Sequence, residues 1–296
     1  MSRNERLPLH VAAMPAVFVL IWSTGFIVAR YGMPHAPPLS FLALRYALSV
    51  LAFGVWISIA RPAWPVGRAQ WLHLGVVGVL MHAGYLGGVW AAVKDGLGAG
   101  LVALVVGLQP LLTALWVSGS GSERRIAFKQ WLGLMLGLAG LLLVVWHKLQ
   151  LGQANGWNMA LATFALASIT AGTLYQKRFI KPCDVRTAST VQLAAAFLVT
   201  APLALLESGK FDMHPELIGA MLWSVVVLTL GGSSLLYLLL QRGAATSVSS
   251  LMYLVPPSTA LMAWWLFDET LGLMALGGML LTAAGVALVV SQRQRG

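Results

Sequence analysis

The chain has a single cysteine, Cys183, and only 9 acidic side chains against 19 lysines and arginines in 296 residues. A lone cysteine excludes an intramolecular disulfide and offers no thiolate cluster for zinc, so no metal or cofactor set is expected. Charged residues make up 9% of the chain, too little polar surface to clothe a soluble globule of this size. Other absences narrow the function. No Gly-rich phosphate loop followed by Lys and Ser/Thr is present, which leaves ATP-driven transport without support. The apolar runs contain no Asp or Glu pair, no His-Glu-x-x-His and no nucleophile beside an evident base, which makes an intramembrane enzyme a distant alternative. Nor is there a ring of charges or a filter-like carbonyl sequence of the kind a passive channel uses.

What is present is oil. Hydrophobic residues account for 58% of positions and tryptophan for 12 of them, which places the chain in lipid. Apolar runs near the 20-residue membrane-crossing length occur at 11–29, 39–60, 71–93, 97–117, 131–146, 157–175, 187–206, 217–240, 244–267 and 271–290. The expected fold is therefore an all-α integral membrane protein with ten transmembrane helices. The first run exceeds a signal-peptide core in length and is expected to be retained. Tryptophans 64, 71, 90, 131, 146 and 157 fall near run ends and read as interfacial anchors.

A net charge of +10 does not mark a nucleic-acid face here, because the basic residues sit singly or in small groups between apolar runs. They read as orientation signals. Ten spans put both termini on one side, and that side collects fourteen Lys and Arg, while the other holds only Arg30, Lys94, Lys148 and Lys210. By the positive-inside rule both termini are expected in the cytoplasm, with the chain in a bacterial inner membrane.

The sequence also repeats itself. Offset by 147 positions, Gly25 falls on Gly172, Arg30 on Lys177, Arg45 on Gln192, Asp95-Gly96 on Arg242-Gly243 and Pro110 on Pro257; after a two-residue shift, Gly133 and Gly140 meet Gly278 and Gly285. Residues 1–147 and 148–296 thus read as two copies of five spans, together one transport domain. An odd number of spans inverts the second copy, which predicts a pseudo-twofold axis in the membrane plane and a site at the midplane between the halves. Gln109-Pro110 and Pro256-Pro257 interrupt equivalent runs. Proline removes a helix hydrogen bond, so these positions either open a helix towards a shared cavity as gating breaks or bend it around neighbours.

The stretches "LIWSTGFIVARYG" (20–32) and "PPLSFLALRYALS" (37–49), repeated in the second half by Gln192 and "PPSTALMAWWLFDETLGLMALGGMLLTAAGVALVV" (256–290), resemble the EamA domains of the drug/metabolite transporter superfamily. The resemblance covers essentially the whole chain in two copies. It implies a ten-helix inner-membrane carrier of two inverted repeats, often exporting amino acids or related metabolites. Glu269 fits the repeat ending, whereas the longer basic loop at 118–130 leaves Glu123 only loosely aligned, without an assigned role.

Helical spacing selects candidate contacts. In the third run Gly75, Gly78, His82 and Tyr85 share a stripe, the glycines leaving space and His82 lying about halfway across. His82 reads as a substrate hydrogen bond or coupling proton, or as a packing contact. Gln109, Thr113 and Trp116 align in the fourth run, Thr229, Ser233 and Tyr237 in the eighth, and Ser250, Tyr253 and Pro257 in the ninth. With Trp22 of the first run and Ser168, Gly172 and Tyr175 of the sixth, they outline an apolar cavity with a few orienting polar groups. Arg45, near the outer end of its run, either snorkels, pairs with a carbonyl, or binds a carboxylate. "GLMLG" (133–137) is a small-residue contact serving internal packing or dimerisation, so monomer and homodimer both stand.

One intramembrane arginine is too few for phosphorylated cargo, and no intramembrane carboxylate awaits a cation. The expected function is secondary export of a small net-neutral zwitterion, most plausibly a neutral or aromatic amino acid, the alternative being a carrier of other cargo in the same superfamily.

Overall fold

A computed structural model of the chain describes residues 9–119, 128–150, 154–241, 254–268 and 272–293, and every regular element among them is helical. The first half contains α1 (Leu9–Gly32), α2 (Pro38–Ala60), α3 (Arg68–Gly78), a π-helical segment π1 (Val79–Gly84), α4 (Tyr85–Lys94), α5 (Ala99–Val106), α6 (Gln109–Gly119) and α7 (Phe128–Gln150). The second contains α8 (Gly156–Phe179), α9 (Val185–Ala204), α10 (Pro215–Trp223), a second π segment π2 (Ser224–Ser233), α11 (Ser234–Gln241), α12 (Val255–Phe267) and α13 (Leu273–Arg293).

Local chemistry sets the helix ends. Proline opens α2 and α10 in their first turns, where its missing N–H is no loss. Asn155 and Asn158 form a reciprocal capping box on α8. Asp184 caps α9 by accepting from the Arg186 N–H, and the neighbouring Arg186 guanidinium holds its carboxyl below the usual range.

Six stretches are long and apolar enough to cross a membrane: Ala13–Gly32, Pro38–Ala60, Arg68–Lys94, Gly156–Phe179, Val185–Ala204 and Pro215–Leu236. Ten spans were expected from the hydropathy pattern, and the remaining four take other forms. The fourth run is two helices with a break at Gly107-Leu108. Helices α7 and α13 carry shorter apolar stretches, at Trp131–Gly140 and Leu276–Gly285. Of the ninth run, 255–267 is helix α12, and 244–253 lies outside the described residues. Large apolar side chains cover the exterior, with Ile59 78% and Trp265 77% exposed, the inverse of a soluble surface.

The helices pack in pairs that exchange under the sequence repeat. Helices α2 and α9 occupy equivalent places in the two copies and lie side by side. The Glu207 carboxylate, just beyond α9, accepts from the Leu39 and Ser40 N–H groups that open α2, at 2.9 and 2.8 Å. At the other end the Thr187 hydroxyl of α9 donates to the Ala63 carbonyl beyond α2, at 3.1 Å. The two helices therefore run antiparallel. The same swap relates the packing of α1 on α10 and π2 to that of α8 on α3 and π1. Both π segments fall at equivalent repeat positions.

The connecting loops form two groups. On one side the Lys94 ammonium donates to the Met33 carbonyl at 2.6 Å, Asn155 donates to Asp95 at 3.1 Å, and the Asp212 N–H donates to the His35 carbonyl at 2.8 Å. On the other, Gln70 donates to the Lys181 carbonyl at 2.9 Å.

Glycine permits the closest crossings. A Cβ on Gly140 would strike the Gly278 carbonyl and Thr282, and one on Gly285 would strike the Gly133 carbonyl and the Gly137 N–H. "GLMLG" therefore serves contact within the chain, between α7 and α13. Gly75 and Gly78 were expected to leave space for cargo; instead Gly78 lies against the Gln192 backbone and Gly75 faces the Ala195 methyl. We expect Gly140→Leu to force α7 from α13 and destabilise the fold by about 1–3 kcal/mol or more, as overpacking does. Thermal unfolding in detergent checks this, and an unshifted midpoint contradicts the packing.

Candidate functional site

A cavity lies between the two halves, lined by α1, α2, the third helix, α8, α9, π2 and α11. It encloses about 820 Å³ of atom-free space, open solvent included. Its lining runs from Arg45, Val89 and Trp90 at one end to Gln176 and Ser189 at the other, with Trp22, His82, Tyr85 and Gln192 between them. Five sequence candidates, Trp22, Arg45, His82, Tyr85 and Ser233, therefore come together.

The third helix positions two of them. Its π segment widens one turn around His82, and the Tyr46 hydroxyl donates to the His82 carbonyl at 2.8 Å. The His82 ring then faces the Gln192 side chain, and the Tyr85 hydroxyl faces the Trp22 indole. Helix α8 packs closely enough that Gly84 and Gly88 admit no side chain: a Cβ at Gly84 would meet the Ser168 hydroxyl and one at Gly88 the Leu161 carbonyl, both at 2.8 Å.

Arg45 does not snorkel, and among the described residues it bonds no backbone carbonyl. It is 5% exposed, and its Nε and Nη2 donate to the Thr229 hydroxyl at 3.3 and 3.2 Å. Thr229 in turn donates to the Ser224 carbonyl five residues back, at 2.8 Å, a bond reached across the wide turn of π2. The Trp90 ring lies 5.9 Å from the guanidinium carbon, and Phe41 stacks on that tryptophan at 4.4 Å. Trp90 is thus a buried wall of the cavity and not an interfacial anchor, whereas Trp64 and Trp71 are half-exposed and stacked together. Among the described residues no carboxylate forms an ion pair with Arg45. A buried guanidinium held only by a neutral hydroxyl and a ring face retains donors for an anion.

The other candidates are placed elsewhere. Gln109 donates to Thr173 at 2.9 Å and borders a small void with Trp22, Gly107 and Pro256, with room for about one water. Pro256 and Pro257 line a similar void beside Thr282. The break at Gly107 touches the start of α12, since a Cβ on Gly107 would lie 2.5 Å from the Pro256 ring. Pro110 is the second residue of α6, and nothing is described of its side chain. Tyr175 bonds His73 at 2.8 Å and does not line the cavity; the adjacent Gln176 does. Thr113 bonds the Gln109 carbonyl, Gly172 packs on Met81, and Trp116 is exposed. Tyr237 lies on α11 with its side chain not described, and Ser250 and Tyr253 lie outside the described residues. Ser189, Gln176, Trp90 and Met81 are lining residues that helical stripes did not select. Gln192 had a signal, its repeat match to Arg45: residues related by a twofold near the axis face the same space.

With every described element helical, six membrane-length apolar helices among the described residues, and an apolar pocket with a few polar groups between the halves, the chain has the form of a membrane transporter. The EamA-like transporter family matches residues 12–146 and 156–291, and the chain belongs to that family, within the drug/metabolite transporter superfamily. A Salmonella typhimurium protein named "Probable amino-acid metabolite efflux pump" is 29% identical over 287 residues, covering 92% of each chain. The Escherichia coli K12 inner membrane transporter YedA is 26% identical over 278 residues, covering 92% of this chain and 87% of its own. A solved crystal structure shares the fold, with a TM-score of 0.67 at 18% identity over 95% of this chain and 98% of the other.

If Thr229 aims Arg45, Thr229→Val keeps the shape and removes the acceptor. Hydrogen bonds to charged groups contribute about 1.5–3 kcal/mol, so we expect the KM for a carboxylate-bearing cargo to rise roughly tenfold or more, with Thr229→Ser close to wild type. An unchanged KM in the valine variant contradicts the assignment.

Proposed function

We propose that the protein exports small neutral amino acids, aromatic ones among them, across the bacterial inner membrane by alternating access between two inverted repeats. The observation that carries this reading is Arg45, a buried cation with no carboxylate partner among the described residues, at one end of a cavity otherwise walled by apolar and neutral groups. A single fixed positive charge suits one carboxylate. The amide oxygens of Gln176 and Gln192 and the faces of Trp22 and Trp90 suit an ammonium and an apolar side chain. Cargo of that description is a zwitterion. The efflux-pump name of the Salmonella relative agrees with it.

The architecture supports the mechanism. Equivalent helices α2 and α9 run antiparallel, as inversion requires, and the π segments recur at matching places. Ten spans divided into 1–147 and 148–296, with both termini cytoplasmic, fit the two loop groups: the face of Gln70 and Lys181 is basic, while the opposite face carries Asp95, Glu207, Asp212 and Glu216. In this arrangement the hydrogen-bonded loops at His35, Lys94 and Asp212 close the outer end, and the cavity extends inward towards Gln176 and Ser189.

Purified protein in liposomes, assayed with radiolabelled neutral amino acids with and without a pH gradient, tests the reading. Uptake of an amino acid that unlabelled analogues compete away is expected. Failure for every amino acid, with movement of another solute, replaces the cargo. In the same assay His82→Ala is expected to lower transport and flatten its pH response; an unaltered response makes His82 a packing residue.

A further inference from the structure

His35, Asp212 and His214, in loops, and Glu216, in the first turn of α10, lie outside the cavity, where no site was expected. His35 follows α1 and the other three lead into α10, so the group joins the two halves of the chain. His35 Nε2 is 3.0 Å from Glu216 Oε2, and His214 Nδ1 is 3.9 Å from the same oxygen. One donor atom from each of His35, His214 and Glu216 falls within 4.8 Å of the others. On its other nitrogen, Nδ1, His35 faces Asp212 Oδ2 at 3.6 Å. Among the described residues neither carboxylate forms an ion pair with a lysine or arginine.

We propose that this cluster is a binding site for a divalent transition metal of the zinc type, clamping the outer ends of α1 and α10 together. Two imidazoles and one carboxylate are a borderline-soft donor set that suits zinc, whereas calcium and magnesium call for oxygen ligands throughout. His35 ligates through Nε2 while its Nδ1 lies 3.6 Å from Asp212 Oδ2, near enough to close on binding into the carboxylate–histidine–metal arrangement that fixes a ligand's tautomer. Water completes a tetrahedron. The His35 and His214 rings stack at 4.1 Å and 8°, so a metal in the plane of one lies off the plane of the other. His214, whose side chain is 46% exposed, tilts to bring its nitrogen to about 2.0–2.1 Å from the ion. That movement gives up only a long 3.3 Å bond from the Glu216 N–H.

The test is calorimetric titration of zinc chloride into the full-length, chelator-stripped protein in detergent, with no cargo present. Saturable binding of a single ion is expected, weakened roughly tenfold or more in His35→Ala, His214→Gln and Asp212→Asn, and unchanged in His73→Ala. Zinc is also expected to raise the thermal midpoint of the wild type but not of His214→Gln, whose half-exposed side chain makes it the variant least prone to misfolding. Absence of zinc binding by the wild type, or undiminished binding by both His35→Ala and His214→Gln, overturns the site. Because binding is read without transport, either result leaves the cargo assignment to be judged separately.

Discussion

A guanidinium sealed among helices, with a threonine hydroxyl as its hydrogen-bonding partner, is the constraint on which the rest of the site depends. Burying a charge is costly unless it is paired and hydrogen-bonded. The fold meets only part of that requirement for Arg45. Thr229 accepts two N–H groups, and the Trp90 face adds the attraction of a ring quadrupole. The geometry of that support reaches further than the pair. Thr229 can accept from Arg45 because its own hydrogen goes to the Ser224 carbonyl across a π turn, and Trp90 is held by Phe41 and by the tight approach of α8 at Gly88. In each half a carbonyl of the wide helical turn accepts a side-chain hydroxyl: Ser224 from Thr229 and His82 from Tyr46.

The two halves meet at their weakest points as well as their strongest. Glycine-mediated contact between α7 and α13 brings backbones together with no side chain between them, which is how helices associate where apolar burial gives no advantage over lipid. At Gly107, by contrast, the fourth run is interrupted, and the break touches Pro256 in the first turn of α12. A rigid seam beside that contact is what the proposed rocking between repeats needs, because motion concentrates where backbone hydrogen bonds are missing.

Much of this was legible in the residues. The apolar runs located the six long helices, and the glycines matched by the internal repeat are those at which α7 and α13 meet, crosswise: Gly140 lies against Gly278 and Gly133 against Gly285. Helical spacing placed His82 and Tyr85 in the cavity, because both sit on one continuous stripe of one helix. Spacing failed where the outcome depended on a neighbour. Gly78 looked like space but is filled by the Gln192 backbone, Trp90 looked interfacial but is a buried wall, and Tyr175 turns to His73. The Arg45–Thr229 pair spans 184 positions and needs a π turn that no residue pattern announces. The His35 cluster joins loops equally far apart in the chain, so nothing local marks it.

The most direct test of the account is binding of a neutral amino acid and of its carboxamide to the purified protein, compared between wild type and Arg45→Gln. Tight binding of the acid and weak binding of the amide by the wild type, with the preference abolished in the variant, is the predicted result. Equal affinity for acid and amide in the wild type, or a preference that survives without the guanidinium, contradicts Arg45 as the anion anchor and removes the ground for a zwitterionic cargo.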